Sequence, residues 1–193
     1  MKQLLLTLAT ICALDAIAQI DTTQRTPSLV DFDAYASLLL EVKPHRAERL
    51  VPIEQFNEIS KEENVIILDT RSKEMYDAKH IKGAIHLNFS DFTQRNLERI
   101  IPSPDTKILI YCNNNIDKDD VFFQSKGFVP RNFYDNEKEL TLALNIPTYI
   151  NLYGYGYRNI YELSELISIY DKRIQFEGTE VGKTTFGVKF VGD

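Results

Sequence analysis

An α/β fold, with a central, mainly parallel sheet flanked by helices on both faces of a single domain, is what this sequence predicts. Two runs carry that expectation. Val65-Ile66-Ile67-Leu68 and Lys107-Ile108-Leu109-Ile110-Tyr111 are short, continuous and rich in β-branched residues, which suits central parallel strands covered on both sides. Around them, segments of helical spacing alternate with shorter strand candidates. A chain of 193 residues fits one ordinary domain with extensions and buries enough surface to need no disulfide or metal staple.

In chain order, residues 19–30 are mostly polar, hold Pro27 and show no period, so a flexible leader is expected. From Asp31 to Val42, Phe32, Tyr35, Leu38, Leu39 and Val42 recur at helical spacing, with Asp31 as N-cap and Pro44 as the stop. Arg49–Val51 suits a short strand, and Pro52 opens a helix over Ile53–Ile59. The strand Val65–Leu68 is followed by a short helix over Glu74–Ala78 and a strand over Ala84–Leu87. After the strand Lys107–Tyr111, the apolar stretch Leu140–Tyr153 predicts a helix despite Pro147, ended by Gly154 and Gly156. A strand over Asn159–Tyr161, a helix over Ser164–Tyr170 and a weakly alternating tail from Arg173 complete the chain. The expected organisation is a targeting segment over 1–18, leader and helix over 19–48, the domain over 49–172 and a tail over 173–193.

The targeting segment rests on its layout: a lysine start, an apolar run from Leu4 to Leu14 and the small-x-small triplet Ala16-Ile17-Ala18. That run is too short to span a membrane, so export to the periplasm or outside the cell, with cleavage near Ala18, is expected. Cleavage removes one lysine and one aspartate and leaves the formal charge at −6. A negative chain offers no electrostatic reason to expect nucleic acid or an anionic membrane surface as partner. Two cysteines exclude a disulfide-rich scaffold and a four-cysteine zinc site. Cleavage discards Cys12, leaving Cys112 as the single thiol of the mature protein. Such an odd cysteine is either buried and inert or reactive and used.

The most informative segment runs from Asp69 to Asn88, directly after the first buried strand. Asp69, Arg71, Tyr76, His80, Ile81, Gly83 and Ala84 stand at fixed gaps that match a D-x-R, aromatic, H-I-x-G-A signature. This chain therefore resembles the rhodanese-like family over about Arg49 to Leu163. Met75 departs from the pattern, where the family often has glutamate. Charges at the carboxyl end of a strand pair and hold loops, so Asp69, Arg71 and His80, with Gly83, are expected to be structural.

The resemblance implies more at Cys112, which follows the strand Lys107–Tyr111 where the family keeps its catalytic cysteine. It implies a sulfurtransferase that moves sulfane sulfur from a small donor to a small acceptor or a thiol-bearing protein through a persulfide on Cys112, by covalent thiolate chemistry without metal or organic cofactor. Backbone N–H groups of Asn113, Asn114, Asn115, Ile116 and Asp117 are then expected to cradle the anion and lower the thiol pKa. The loop departs from the family: the usual basic residue, glycine and closing arginine are missing. Asn113-Asn114-Asn115 suits a turned loop, Asp117 opposes an anionic donor, and Lys118 is the nearest cation but lacks arginine's bidentate fork. Lys118 also stands six residues after Cys112, where the related dual-specificity phosphatases need arginine, which disfavours phosphatase chemistry.

The strand Gly156–Tyr161 begins 44 residues after Cys112. The excess, at about 113–137, is an insertion beside the site that serves either as a recognition loop, with Arg131 as a substitute cation, or as a packed elaboration. Asp117, Asp119 and Asp120 suit a solvated acidic loop better than a calcium site. Tyr149, Tyr153, Tyr155, Tyr157 and Tyr161 suit core contacts with polar tips at the rim. Three readings of function stand: a sulfurtransferase, a silent binding module on the same fold, and a single-thiol redox partner lacking a resolving cysteine.

Overall fold

A computed structural model describes residues 26–128 and 140–182. The chain divides into a unit ending at Phe32 and a unit from Asp33 onward. In the first, residues 26–31 have no helix or strand. The predicted targeting segment, most of the leader, Arg131 and the tail beyond residue 182 lie outside the described residues.

Helix α1 (Phe32–Ala47) has all but its first residue in the second unit and is followed by β1 (Leu50–Val51), α2 (Ile53–Ile59) and β2 (Val65–Asp69). Then come α3 (Lys73–Ala78), β3 (His80–Ile81), β4 (Ala84–His86), α4 (Gln94–Ile100) and β5 (Lys107–Tyr111). The remaining elements are β6 (Ile116–Asp117), β7 (Gly127–Phe128), β8 (Leu140–Thr141), α5 (Asn145–Gly154), β9 (Ile160–Leu163), β10 (Ile167–Ser168) and β11 (Phe176–Glu177). The five strands of the main sheet lie in the order β1-β9-β5-β2-β4, all parallel.

Alternation along the central strands builds two cores. Ile67, Leu109 and Tyr111 face Ile53, Phe56 and Ile59 of α2, while Leu68, Ile108 and Ile110 face Val42 of α1, Leu97 of α4 and Tyr149, Ile150 and Leu152 of α5. Both faces of β2 and β5 are thus apolar, which is why those strands lack polar alternation. The α/β expectation holds, with helices on both sides of one sheet.

Three expectations need correction. Helix α1 does not stop at Pro44 but runs to Ala47. The bond Pro44 cannot donate falls next to exposed Leu40, and tertiary contacts hold the last turn: His45 Nδ1 meets the Tyr149 hydroxyl at 2.9 Å, and Arg46 grips Glu162 through two bonds of 2.6 Å. Residues 140–144 are not helical: Leu140–Thr141 pair with Gly127–Phe128 in a two-stranded sheet, and α5 starts only at Asn145. Ser164–Tyr170 is not a helix; Ile167 and Ser168 form β10, parallel to β6, because β-branched Ile167 fills the core beneath Ile116. The alternation of Ile174 and Phe176 ends in β11, antiparallel to β3.

The direction of the crossovers positions the site. From β2 the chain moves outward to β4, and from β5 it moves the opposite way to β9, so the carboxyl ends of β2 and β5 form the switch point where parallel sheets place their sites. Asp69 and Tyr111 are register partners, so Thr70-Arg71 and Cys112 leave the sheet side by side.

Candidate active site

Asp69 and Arg71 close the β2 side of this crevice. Arg71 Nε lies 3.0 and 3.1 Å from the two Asp69 carboxylate oxygens and its Nη2 lies 2.7 Å from Oδ2, with both side chains buried. The rest of the guanidinium donates to the carbonyls of Phe122 (2.8 Å) and Lys79 (2.7 Å) and covers the Phe123 ring at 4.2 Å. Asp69 also accepts from the Tyr111 hydroxyl at 2.5 Å, and that oxygen in turn accepts from the Ile81 N–H. Burial, followed by the Asp69 charge, pushes the Tyr111 phenol well above its ordinary value. This arginine is satisfied by the protein itself and ties three loops to the end of the sheet.

His80 is equally occupied. Its Nδ1 lies 2.6 Å from the Tyr76 carbonyl, its Nε2 lies 3.3 Å from Glu177, and its ring stacks on Tyr76 at 3.9 Å. Gly83 sits at φ +81° and donates its N–H to the same Glu177 carboxylate at 2.9 Å. The glycine provides the left-handed turn between β3 and β4, and the histidine holds the C-terminal arm.

Cys112 follows β5 at once and is buried, 1% exposed. Burial pushes its thiol above the ordinary value and outweighs the main-chain N–H groups of Leu144 and Asn113, which favour the thiolate. The expected lowering of the pKa does not occur, because desolvation of the buried thiol is the larger effect. Asn113–Asn115 form a short 3-10 turn in which the Asn115 N–H bonds the Cys112 carbonyl at 3.0 Å. The Ile116 N–H bonds the Asn113 carbonyl, and Ile116–Asp117 become β6.

Two of the three asparagines act through their side chains. Asn115 Oδ1 accepts from the Cys112 N–H at 3.0 Å and from the Asn145 amide at 2.8 Å, while its amide donates to the carbonyls of Leu163 (2.8 Å) and Glu165 (3.1 Å). Asn114 exchanges two bonds with the main chain of Lys126, at 2.7 and 3.0 Å. Asn113 is buried, and its Oδ1 has no hydrogen-bond partner among the described residues.

Lys118 takes a left-handed conformation (φ +67°), is 65% exposed and lies 3.4 Å from Asp117, so its charge stands at solvent while the thiol is interior. Asp119 turns away to pair with Lys79 at 2.6 Å and caps Phe122 N–H at 3.0 Å, so the three aspartates do not converge. The described part of the insertion packs onto the domain through Phe123. The tyrosine cluster lies largely in the core: Tyr149 donates to the Ile160 carbonyl and Tyr153 to Glu41.

Beside the cysteine turn lies a cavity of about 480 Å³, bounded by Asn114–Asp117, by Ala143, Asn145 and Ile146 at the start of α5, and by Glu162–Ser164. Its wall also holds the Arg46–Glu162 pair. The sequence did not single out the Leu144 N–H, Asn145 or this cavity. A main-chain donor leaves no residue signature, and the expected helix start at Leu140 buries Leu144 inside a helix instead of at its N-terminus.

A parallel α/β sheet thus carries a buried thiol at its switch point. The rhodanese-like domain model matches residues 53–165, and the chain belongs to that family. No curated protein sequence matches it. Among solved structures, it is similar to the BH2092 protein of Bacillus halodurans at 17% identity, over 77% of this chain and 86% of that one, with a TM-score of 0.45. It is similar to a thiosulfate sulfurtransferase from Pseudomonas aeruginosa at 17% identity and a TM-score of 0.43, over 68% of this chain but 20% of that one. A rhodanese with anions from E. coli is 14% identical, over 60% of this chain and 99% of that one, with a TM-score of 0.36.

Proposed function

We propose that this protein is a sulfurtransferase in which Cys112 carries sulfane sulfur between a small donor and a small or protein-borne thiol. The observation that carries the reading is Cys112, buried directly after β5 at the switch point of the sheet, where the main-chain N–H groups of Leu144 and Asn113 favour its anion. Those donors suit the negative sulfur of a thiolate or persulfide. In the transfer, the Cys112 thiolate attacks the outer sulfur of a persulfide R–S–SH. The donor's S–S bond breaks as the Cys112–S–SH bond forms, and R–S⁻ leaves, taking up the proton that Cys112 released. An acceptor thiolate reverses the sequence. No oxidant or metal enters the balance.

Intact mass after incubation with a persulfide donor tests this. Wild type gains one sulfur atom and Cys112→Ser gains none. Absence of any adduct, with a thiol inert to alkylation, overturns the reading.

The burial of Cys112 and its raised pKa favour a second reading, a silent rhodanese-fold binding module. Export belongs to the proposal as well and is supported by the lysine start, apolar run and Ala16-Ile17-Ala18 of the sequence. N-terminal sequencing of the cell-derived protein checks it: a start near Gln19 agrees, and a start at Met1 does not.

A further inference from the structure

Cys112 is 1% exposed, so a reagent reaches its sulfur only when part of the protein covering it moves. One neighbouring segment is held far more weakly than the rest. Residues on either side of the β7–β8 pairing, 124–127 and 141–144, are joined by that pairing and by the bond from the Leu142 N–H to the Lys126 carbonyl at 2.8 Å. Of their side chains only Ala143 is buried, and Leu142 is 59% exposed. Ser125, Thr141 and Ala143 share the lining of the 480 Å³ cavity with Asn114, Asn115 and Ile116 of the cysteine turn. A void thus stands where packed side chains would hold segment and turn together.

What ties the segment to the turn is polar. Asn114 exchanges two bonds with the main chain of Lys126, at 2.7 and 3.0 Å. The Asn145 amide donates to Asn115 Oδ1 at 2.8 Å, the same oxygen that takes the Cys112 N–H. The flanks, by contrast, are anchored. Phe123 is buried, Arg71 holds the Phe122 carbonyl and Lys79 pairs with Asp119, while Thr148 and Tyr149 bury the following helix. Firm ends around one buried alanine and a few side-chain amide bonds mark a unit that opens locally at low cost. The influence of the Leu144 N–H on the Cys112 anion puts the end of this unit close to the thiol.

Resting on the sulfurtransferase reading for its purpose, we propose that residues 124–127 and 141–144 form a strap over Cys112, closed by Asn114 and Asn145, whose local opening admits the sulfur donor and acceptor. Opening breaks the side-chain bonds to the cysteine turn and leaves the sheet and both cores intact. Closing keeps the thiol, and a persulfide formed on it, away from stray thiols in solution.

Alkylation of Cys112 by iodoacetamide in the full chain tests this, at fixed pH and read by peptide mass so that Cys12 is counted apart. The rate is expected to stay nearly flat in urea below the global unfolding transition. It rises about fivefold in Asn114→Ala and in Asn145→Ala, the scale of one net hydrogen bond. Ile101→Val, in the core on the α4 side, lowers global stability and leaves the rate unchanged. A rate that climbs in urea with the slope of global unfolding, ignores both asparagine variants or follows Ile101→Val overturns the strap. Sulfur uptake from a persulfide donor is read separately on wild type by intact mass. Uptake together with any of those three results removes the strap and leaves the transferase standing. Local opening with no uptake from any donor counts against the transferase and leaves the strap.

Discussion

Asn115 Oδ1 holds the main-chain N–H of Cys112 at 3.0 Å, while the amide of the same side chain holds the carbonyls of Leu163 and Glu165 at 2.8 and 3.1 Å. One buried side chain thus fixes the cysteine turn to the far end of β9. Replacing it by alanine strands the Cys112 N–H and the Leu163 carbonyl in the interior. Asn115→Ala is expected to cost about 2–4 kcal/mol, on the scale of two unsatisfied buried groups, measured by urea denaturation. Asn115→Asp keeps the acceptor and loses both donors, so it does not restore stability.

The Asp69–Arg71 pair predicts a larger loss. Both side chains are buried, and removing one leaves a charge without its partner. Arg71→Met is expected to destabilise by about 3–5 kcal/mol in denaturant titration. Arg71→Lys falls well short of wild type too, because a single ammonium cannot meet Asp69 and the carbonyls of Phe122 and Lys79 together.

The thiol predicts a pH dependence. Burial, opposed by the N–H groups of Leu144 and Asn113, raises the Cys112 pKa in the folded state. The folded protein then binds the thiol proton more tightly than the unfolded chain. The stability this contributes is full below about pH 8.5, the ordinary thiol value, and is lost as pH rises through the folded value. Subtracting the Cys112→Ser stability profile from that of wild type isolates the slope. Alkylation by iodoacetamide likewise rises only above the ordinary thiol range, and a plateau below pH 8 contradicts the assignment.

The C-terminal arm predicts a steric failure. Gly178 lies at φ +133°, and a Cβ built there falls 2.5 Å from the Ala78 carbonyl oxygen. Its neighbours donate to the end of α3, Thr179 N–H to the Asp77 carbonyl and Glu180 N–H to the Ala78 carbonyl, both at 2.9 Å. Gly178→Ala is expected to release this contact at a local cost of about 1–3 kcal/mol, seen as faster amide exchange at Thr179 and Glu180 while exchange at Leu109 and Ile110 is unchanged.

Much of the sheet was legible because its central strands announce themselves. Ile66–Leu68 and Ile108–Ile110 are apolar on both faces, a pattern that only a doubly covered strand needs. The D-x-R and H-I-x-G-A residues were legible for a different reason, since each spacing is set by one strand end and one turn. Elements without their own core failed. Ser164–Tyr170 carries enough apolar residues for a helix, but Ile167 is claimed by β6. Pro44 carries a stop signal, but His45 and Arg46 are held by Tyr149 and Glu162, more than 100 residues away. Local propensity is weak where distant partners supply the bonds.

By itself, the sequence determined the fold class, the family resemblance and the position of Cys112 at the end of a central strand, because hydrophobic period and fixed spacing are local properties of the chain. Only the tertiary structure decided the state of that thiol. Its burial, the influence of the Leu144 N–H and the side-chain bonds from Asn115 to Leu163 and Glu165 come from segments far apart in sequence. A pKa depends on the balance of desolvation against nearby donors, and that balance exists only once the segments are brought together.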